Sequence, residues 1–115
     1  MATTVDLQEV LPLELGIELS QQGTTSTVQL RGEIDLAAQP AIRDAISEVL
    51  ARAPECLVLD LTGVSFIDVS GVRAVIEATK RSYRDNVRLV IVPVPEAVQR
   101  VFDFCQLTAT LPFVR

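Results

Sequence analysis

The sequence has no histidine and no tryptophan, and it has two cysteines and five aromatic rings: Phe66, Tyr83, Phe102, Phe104 and Phe113. Without histidine there is no general base with an ordinary pKa near neutrality, no imidazole metal ligand and no Ser-His or Cys-His nucleophile pair. Cys56 and Cys105 stand far apart with no CxxC, which excludes a thiolate zinc site. Each lies in an apolar run and is expected to behave as a small buried hydrophobe. Positive charge is also scarce. Ten Lys and Arg against fifteen Asp and Glu leave a net charge of −5, which lacks the electrostatic footprint for phosphate backbones and argues against nucleic-acid binding. No apolar run approaches the roughly 20 residues of a membrane-spanning helix. The stretch Met1 to Gly16 has neither the basic nor the unbroken apolar region of a signal peptide. A cytoplasmic protein without a membrane partner is expected.

What is present is globular: 49% hydrophobic and 22% charged residues over 115 positions suit one domain with its own core. Leu13, Leu15, Ile17 and Leu19 alternate with Glu14, Gly16 and Glu18, the period of a half-buried strand. A turn at Gln21 to Thr24 leads to a hairpin partner over 25–30. Asp6, Glu9, Glu14 and Glu18 precede the first base of the chain, and charges on a sheet edge discourage strand addition. Ala38, Ile42, Ala45, Ile46, Val49, Leu50 and Ala53 then follow helical spacing, with Asp35 placed to cap the helix and Pro40 tolerated in its first turn. Cys56 to Leu61 reads as a central strand covered on both faces, Thr62 to Asp68 as a loop, and a second helix starts near Ser70. Val72, Val75, Ile76 and Thr79 form its inner stripe. Val87 to Val92 is another strand run, broken by Pro93-Val94-Pro95. A third helix carries Val98, Val101, Phe102 and Cys105 on one face, with Phe104 expected to widen that stripe and a last short strand expected over 111–114. The fold class is therefore α/β: one domain with a mixed, mostly parallel sheet of four to five strands and helices packed on it.

Three segments in order resemble the STAS domain family, in its bacterial anti-sigma-factor antagonist branch. The first is Gly32-Glu33-Ile34-Asp35, and the second runs from Val58 through Phe66-Ile67-Asp68-Val69-Ser70-Gly71-Val72. The third is Leu89 to Pro93 followed by Val98-Gln99-Arg100-Val101-Phe102. The resemblance spans residues 13 to 114, so the domain is placed at 13–115 behind an N-terminal extension, 1–12. It implies a transcriptional regulator of the stress-response type rather than an enzyme. Its partner would be an anti-sigma factor with a kinase-like ATPase domain, whose capture frees a sigma factor. No cofactor, metal or small-molecule substrate is implied.

In that branch the kinase phosphorylates the serine directly after the motif aspartate. Here Val69 occupies that position and has no hydroxyl. Two readings stand: Ser70 is the acceptor instead, or the domain is not switched there. The second is preferred, because one residue along a helix rotates a side chain by about 100°. The switch motif is thus Asp68, Val69, Ser70 and Gly71, and the partner-binding residues implied are Asp35, Asp68, Ser70, Val72 and Arg73. Each also has a plainer role. Ser70, Asp68 and Asp35 suit helix caps, Gly71 suits close backbone approach, and Arg73 with Lys80, Arg81, Arg84 and Arg88 suits a solvated face. Asp35, Asp60 and Asp68 have no ligand spacing that argues for a cation. A small hydrolase or transferase finds no support, since GxSxG, P-loop and GxGxxG are all missing. The remaining alternative is a STAS scaffold module, not phosphorylated, in a stress-signalling or lipid-transport complex.

Overall fold

Alternating burial is the dominant pattern along the strands, and it organises the molecule. The computed structural model describes residues 15–92 and 95–114. Strands β1 (Gly16–Gln22), β2 (Thr25–Ile34), β3 (Cys56–Ile67) and β4 (Arg88–Val92) form one sheet in the order β1-β2-β3-β4. The β1–β2 hairpin is antiparallel and the two following pairings are parallel, as two strand-helix-strand crossovers require. The register lines up Leu19, Val28, Leu59 and Ile91 across the four strands, and the last three are fully buried.

Helices α1 (Gln39–Ala51) and α2 (Val69–Arg84) contribute Ile42, Ile46, Val49, Val72 and Val75 to the same core, which also takes Val98 and Phe102 from α3 (Glu96–Phe104). Phe102 is fully buried and meets Phe113 edge-to-face, with ring centroids 5.2 Å apart. Arg43 on α1 pairs with Glu77 on α2 at 3.0 Å. This contact raises the Arg43 pKa and holds the Glu77 carboxyl below its ordinary range. Both side chains are about half exposed, so the pair contributes little to stability.

Several expectations change. β3 is not covered on both faces. Leu57, Leu59 and Leu61 are buried, while Cys56, Val58 and Asp60 are only half-buried, so the run obeys period two and Cys56 is not enclosed. The segment 62–67 is strand rather than loop, because Arg31 to Ile34 of β2 continue to pair with Gly63 to Ile67 through two register shifts. Gly32, at φ +90, lies at the second shift in a conformation other residues rarely adopt. Asp35 makes no side-chain cap. Its carbonyl accepts from Ala38 N in a short 3-10 turn, Leu36–Ala38, that precedes α1. Ala53 lies beyond the helix, exposed, at φ +50. The expected last strand is a single bridge between Phe113 and Ile91. Phe104 does not join the core: it is 89% exposed. The extension 1–12, Leu13 of the first strand and the Pro93-Val94 break lie outside the described residues.

Two buried serine hydroxyls, Ser26 on β2 and Ser82 on α2, have no partner among the described residues. Ser82→Ala removes an unpaired hydroxyl and favours the helix, so it should raise stability by about 1 kcal/mol. A urea melt checks this, and a lower midpoint would show that the hydroxyl is paired in solution.

Candidate functional site

The long β3 carries the chain past the end of β4, which stops opposite Asp60, and delivers residues 66–71 to the end of the sheet where β2 also finishes. There Asp68 leaves the strand in extended conformation and caps α2. Its Oδ1 accepts from Gly71 N at 3.0 Å, and its carbonyl accepts from Val72 N at 2.9 Å. The cap is therefore Asp68, not Ser70. Asp68 N donates to Ile34 O at 3.2 Å, which ties the start of α2 to the end of β2.

Gly71 is where this close approach is decided. A Cβ built there would lie 2.5 Å from Ile34 O and 2.5 Å from Ile67 Cγ1, so only glycine lets the helix pack down on the strand ends. Ser70 is half-buried in the first turn, and its carbonyl accepts from Gln39 Nε2 at 2.8 Å. Gln39, at the start of α1, has no motif to announce it. Its role depends on which helices come together, a tertiary fact that no spacing in the sequence encodes.

The outward surface of this end is apolar. Leu36 is 67% exposed, Phe66 47% and Val69 58%, and they flank the cap from the 3-10 turn, from β3 and from α2. Leu36 and Phe66 join the site in the structure without being marked as site residues by the sequence. The available signal was a large hydrophobe off the helical stripe at Leu36 and off the alternation at Phe66. Asp35 and Asp68 are half-buried and Arg73 is exposed beside them; none of the three forms an ion pair among the described residues. Val72 does not belong to this surface. It is 3% exposed and packs in the core with Val75, while Val69 at the first position of α2 stays exposed. Asp60 is also elsewhere engaged: its Oδ1 accepts from Thr62 N and Thr62 Oγ1. Among the described residues no three acidic or thiol side chains gather as a metal site, and no helix is long and apolar enough to cross a membrane.

The arrangement is a rigid, outward-facing helix start with an apolar surround, and it contains no nucleophile held against a base. The family model for the STAS domain matches residues 16–115, nearly the whole chain. The chain belongs to the STAS domain family. It is similar to the anti-sigma-F factor antagonist RsfB of Mycobacterium tuberculosis, with 27% identity over 99 residues, 86% of this chain and 80% of that one. The anti-sigma-F factor antagonist RsfA of the same organism is 31% identical over 87 residues, 74% and 68% of the two chains. Among solved structures, an anti-sigma factor antagonist from Mycobacterium paratuberculosis superimposes with a TM-score of 0.78 at 26% identity, covering 89% of this chain and 86% of the other. In this STAS domain the glycine, the capping aspartate and the exposed Phe66 sit on a fold similar to that of the Mycobacterium paratuberculosis antagonist.

Proposed function

We propose that this STAS domain is an anti-sigma-factor antagonist. It binds an anti-sigma factor of the serine-kinase type through the end formed by Asp35, Leu36, Phe66, Asp68, Val69, Ser70 and Arg73, and so releases a sigma factor in the cytoplasm. The observation that carries this reading is the preorganised, exposed start of α2: Asp68 and Gly71 fix its backbone, and Phe66 and Val69 stand outward from it. A surface held rigid before binding loses little entropy on association. The named antagonists that match most of the chain support the same role. It works by recognition and performs no catalysis of its own.

Val69 separates this chain from a phosphorylation-controlled antagonist. Phosphoryl transfer needs an acceptor oxygen in line with the γ-phosphate, and position 69 offers none. Ser70 is half-buried, and its carbonyl accepts from Gln39 Nε2. The domain is accordingly a standing antagonist, not switched at this position. Co-purification from lysate tests the function: a kinase-like anti-sigma factor is the expected partner, whereas a membrane-transport subunit would favour the scaffold reading. With the recovered kinase and ATP, the natural chain should gain no phosphate by mass spectrometry. Phosphate on Ser70 of the natural chain would overturn the unswitched reading.

A further inference from the structure

At position 69 the expected hydroxyl is replaced by a side chain that is both apolar and presented to solvent. Val69 is 58% exposed in the first turn of α2, where nothing in the fold requires a hydrophobe. Leu36 and Phe66 are its exposed apolar neighbours around the Asp68 cap. Exposed apolar side chains gathered at one end of a domain mark an interaction surface more often than isolated ones do. The patch has a charged surround in which acidic groups outnumber the exposed Arg73. Glu33 lies beside Phe66 in the sheet, Asp35 precedes Leu36, Asp68 precedes Val69, and none of these carboxylates forms an ion pair among the described residues.

We infer that Val69 is itself a docking anchor, and that the partner surface it meets is an aliphatic socket with a basic rim rather than a phosphoryl-transfer pocket. This rests on the antagonist reading above and names the chemistry of its partner. A pocket that transfers phosphate must hold the nucleotide's phosphates and their counter-cations. A valine entering such a pocket would strip water from those charges and return no hydrogen bond. An aliphatic socket has the opposite preference: it gains from burying the two methyl groups of Val69 and rejects a hydroxyl in their place. The acidic surround then selects cations at the socket's edge, which set encounter rate and orientation more than affinity. Standing antagonism and partner choice are in this way two consequences of one side chain.

The experiment uses the full chain and the purified anti-sigma factor identified by co-purification, with affinities from titration calorimetry. Val69→Thr keeps the shape and adds one hydroxyl, and it should weaken binding by roughly ten- to a hundredfold. Val69→Ala should weaken it by roughly tenfold through lost methyl burial. Because the side chain lies outside the core, the melting temperature of both variants should match that of the natural chain, which separates docking from folding. Association should also slow as salt is raised, through screening of the rim. A Val69→Thr or Val69→Ala variant that binds as tightly as the natural chain overturns the anchor while leaving the antagonist reading intact. A natural chain that forms no complex with any anti-sigma factor overturns both.

Discussion

Gly71→Ala should lower the melting temperature by about 10 °C, for a cost of about 3 kcal/mol in a domain of this size. Two effects oppose each other at this position. In the interior of an exposed helix, alanine is better than glycine by roughly 1 kcal/mol, so propensity alone predicts stabilisation. The added Cβ, however, meets Ile34 O at 2.5 Å, Ile67 Cγ1 at 2.5 Å and Ile34 Cγ2 at 2.8 Å. The first of these is main chain at the end of the β2–β3 pairing, and it cannot swing aside as a flexible side chain could. The helix start must lift, and lifting it pulls Asp68 away from both Gly71 N and Ile34 O. Steric exclusion therefore outweighs propensity. Gly16→Ala is the matched comparison: its Cβ would meet the tip of Arg31, with Nη2 at 2.9 Å, and an exposed guanidinium can move. Gly16→Ala should change the melting temperature far less. Calorimetric scans of the two variants side by side check the argument, and equal small shifts would mean that α2 can lift from the strand ends without penalty.

The same glycine shows how far the sequence could be read. Alternation in Leu57, Leu59 and Leu61, helical spacing in Ile42 to Leu50, and the order of strands and helices are all local signals. Each survived because burial in the fold follows the period that the residues already had. The tail of β3 differs from its turn-like composition, Thr62-Gly63-Val64-Ser65, because pairing with the bulged end of β2 keeps it extended. Phe104 was misplaced by its size rather than its angle: six residues beyond Val98, it sits well off the stripe that Phe102 and Cys105 share. Within the candidate site, Asp68 and Gly71 were legible, since a cap and a close approach are short-range requirements. Leu36, Phe66 and Gln39 were not, because their roles depend on three separate segments meeting at one end of the sheet. Val72 fell on the wrong side for the related reason that a motif marks positions along the chain without saying which way each one faces.

Phe66→Asp should abolish capture of the anti-sigma factor, with affinity falling by roughly a hundredfold or more while the chain stays folded. Phe66 ends the alternation of β3 on the exposed side, next to Glu33 on β2, and about half of it is already in water. Its removal should therefore cost stability only on the order of 1 kcal/mol. In the complex the same position would be closed off from solvent by the partner. An aspartate there carries its charge into a desolvated interface beside Glu33 and Asp68, where the carboxylates outnumber the exposed Arg73 of α2. An uncompensated buried charge costs roughly 3–5 kcal/mol, which exceeds both the lost ring contacts and any gain from the partner's basic rim. Salt distinguishes the causes. Raising ionic strength screens repulsion between exposed charges but does not repair desolvation, so added salt should not restore binding. Phe104→Asp is the control, because Phe104 is equally aromatic, more exposed and carried by α3 rather than by the capped end of the sheet. It should leave affinity unchanged. If Phe66→Asp binds normally and Phe104→Asp does not, the docking surface belongs to α3, and the capped start of α2 serves the fold alone.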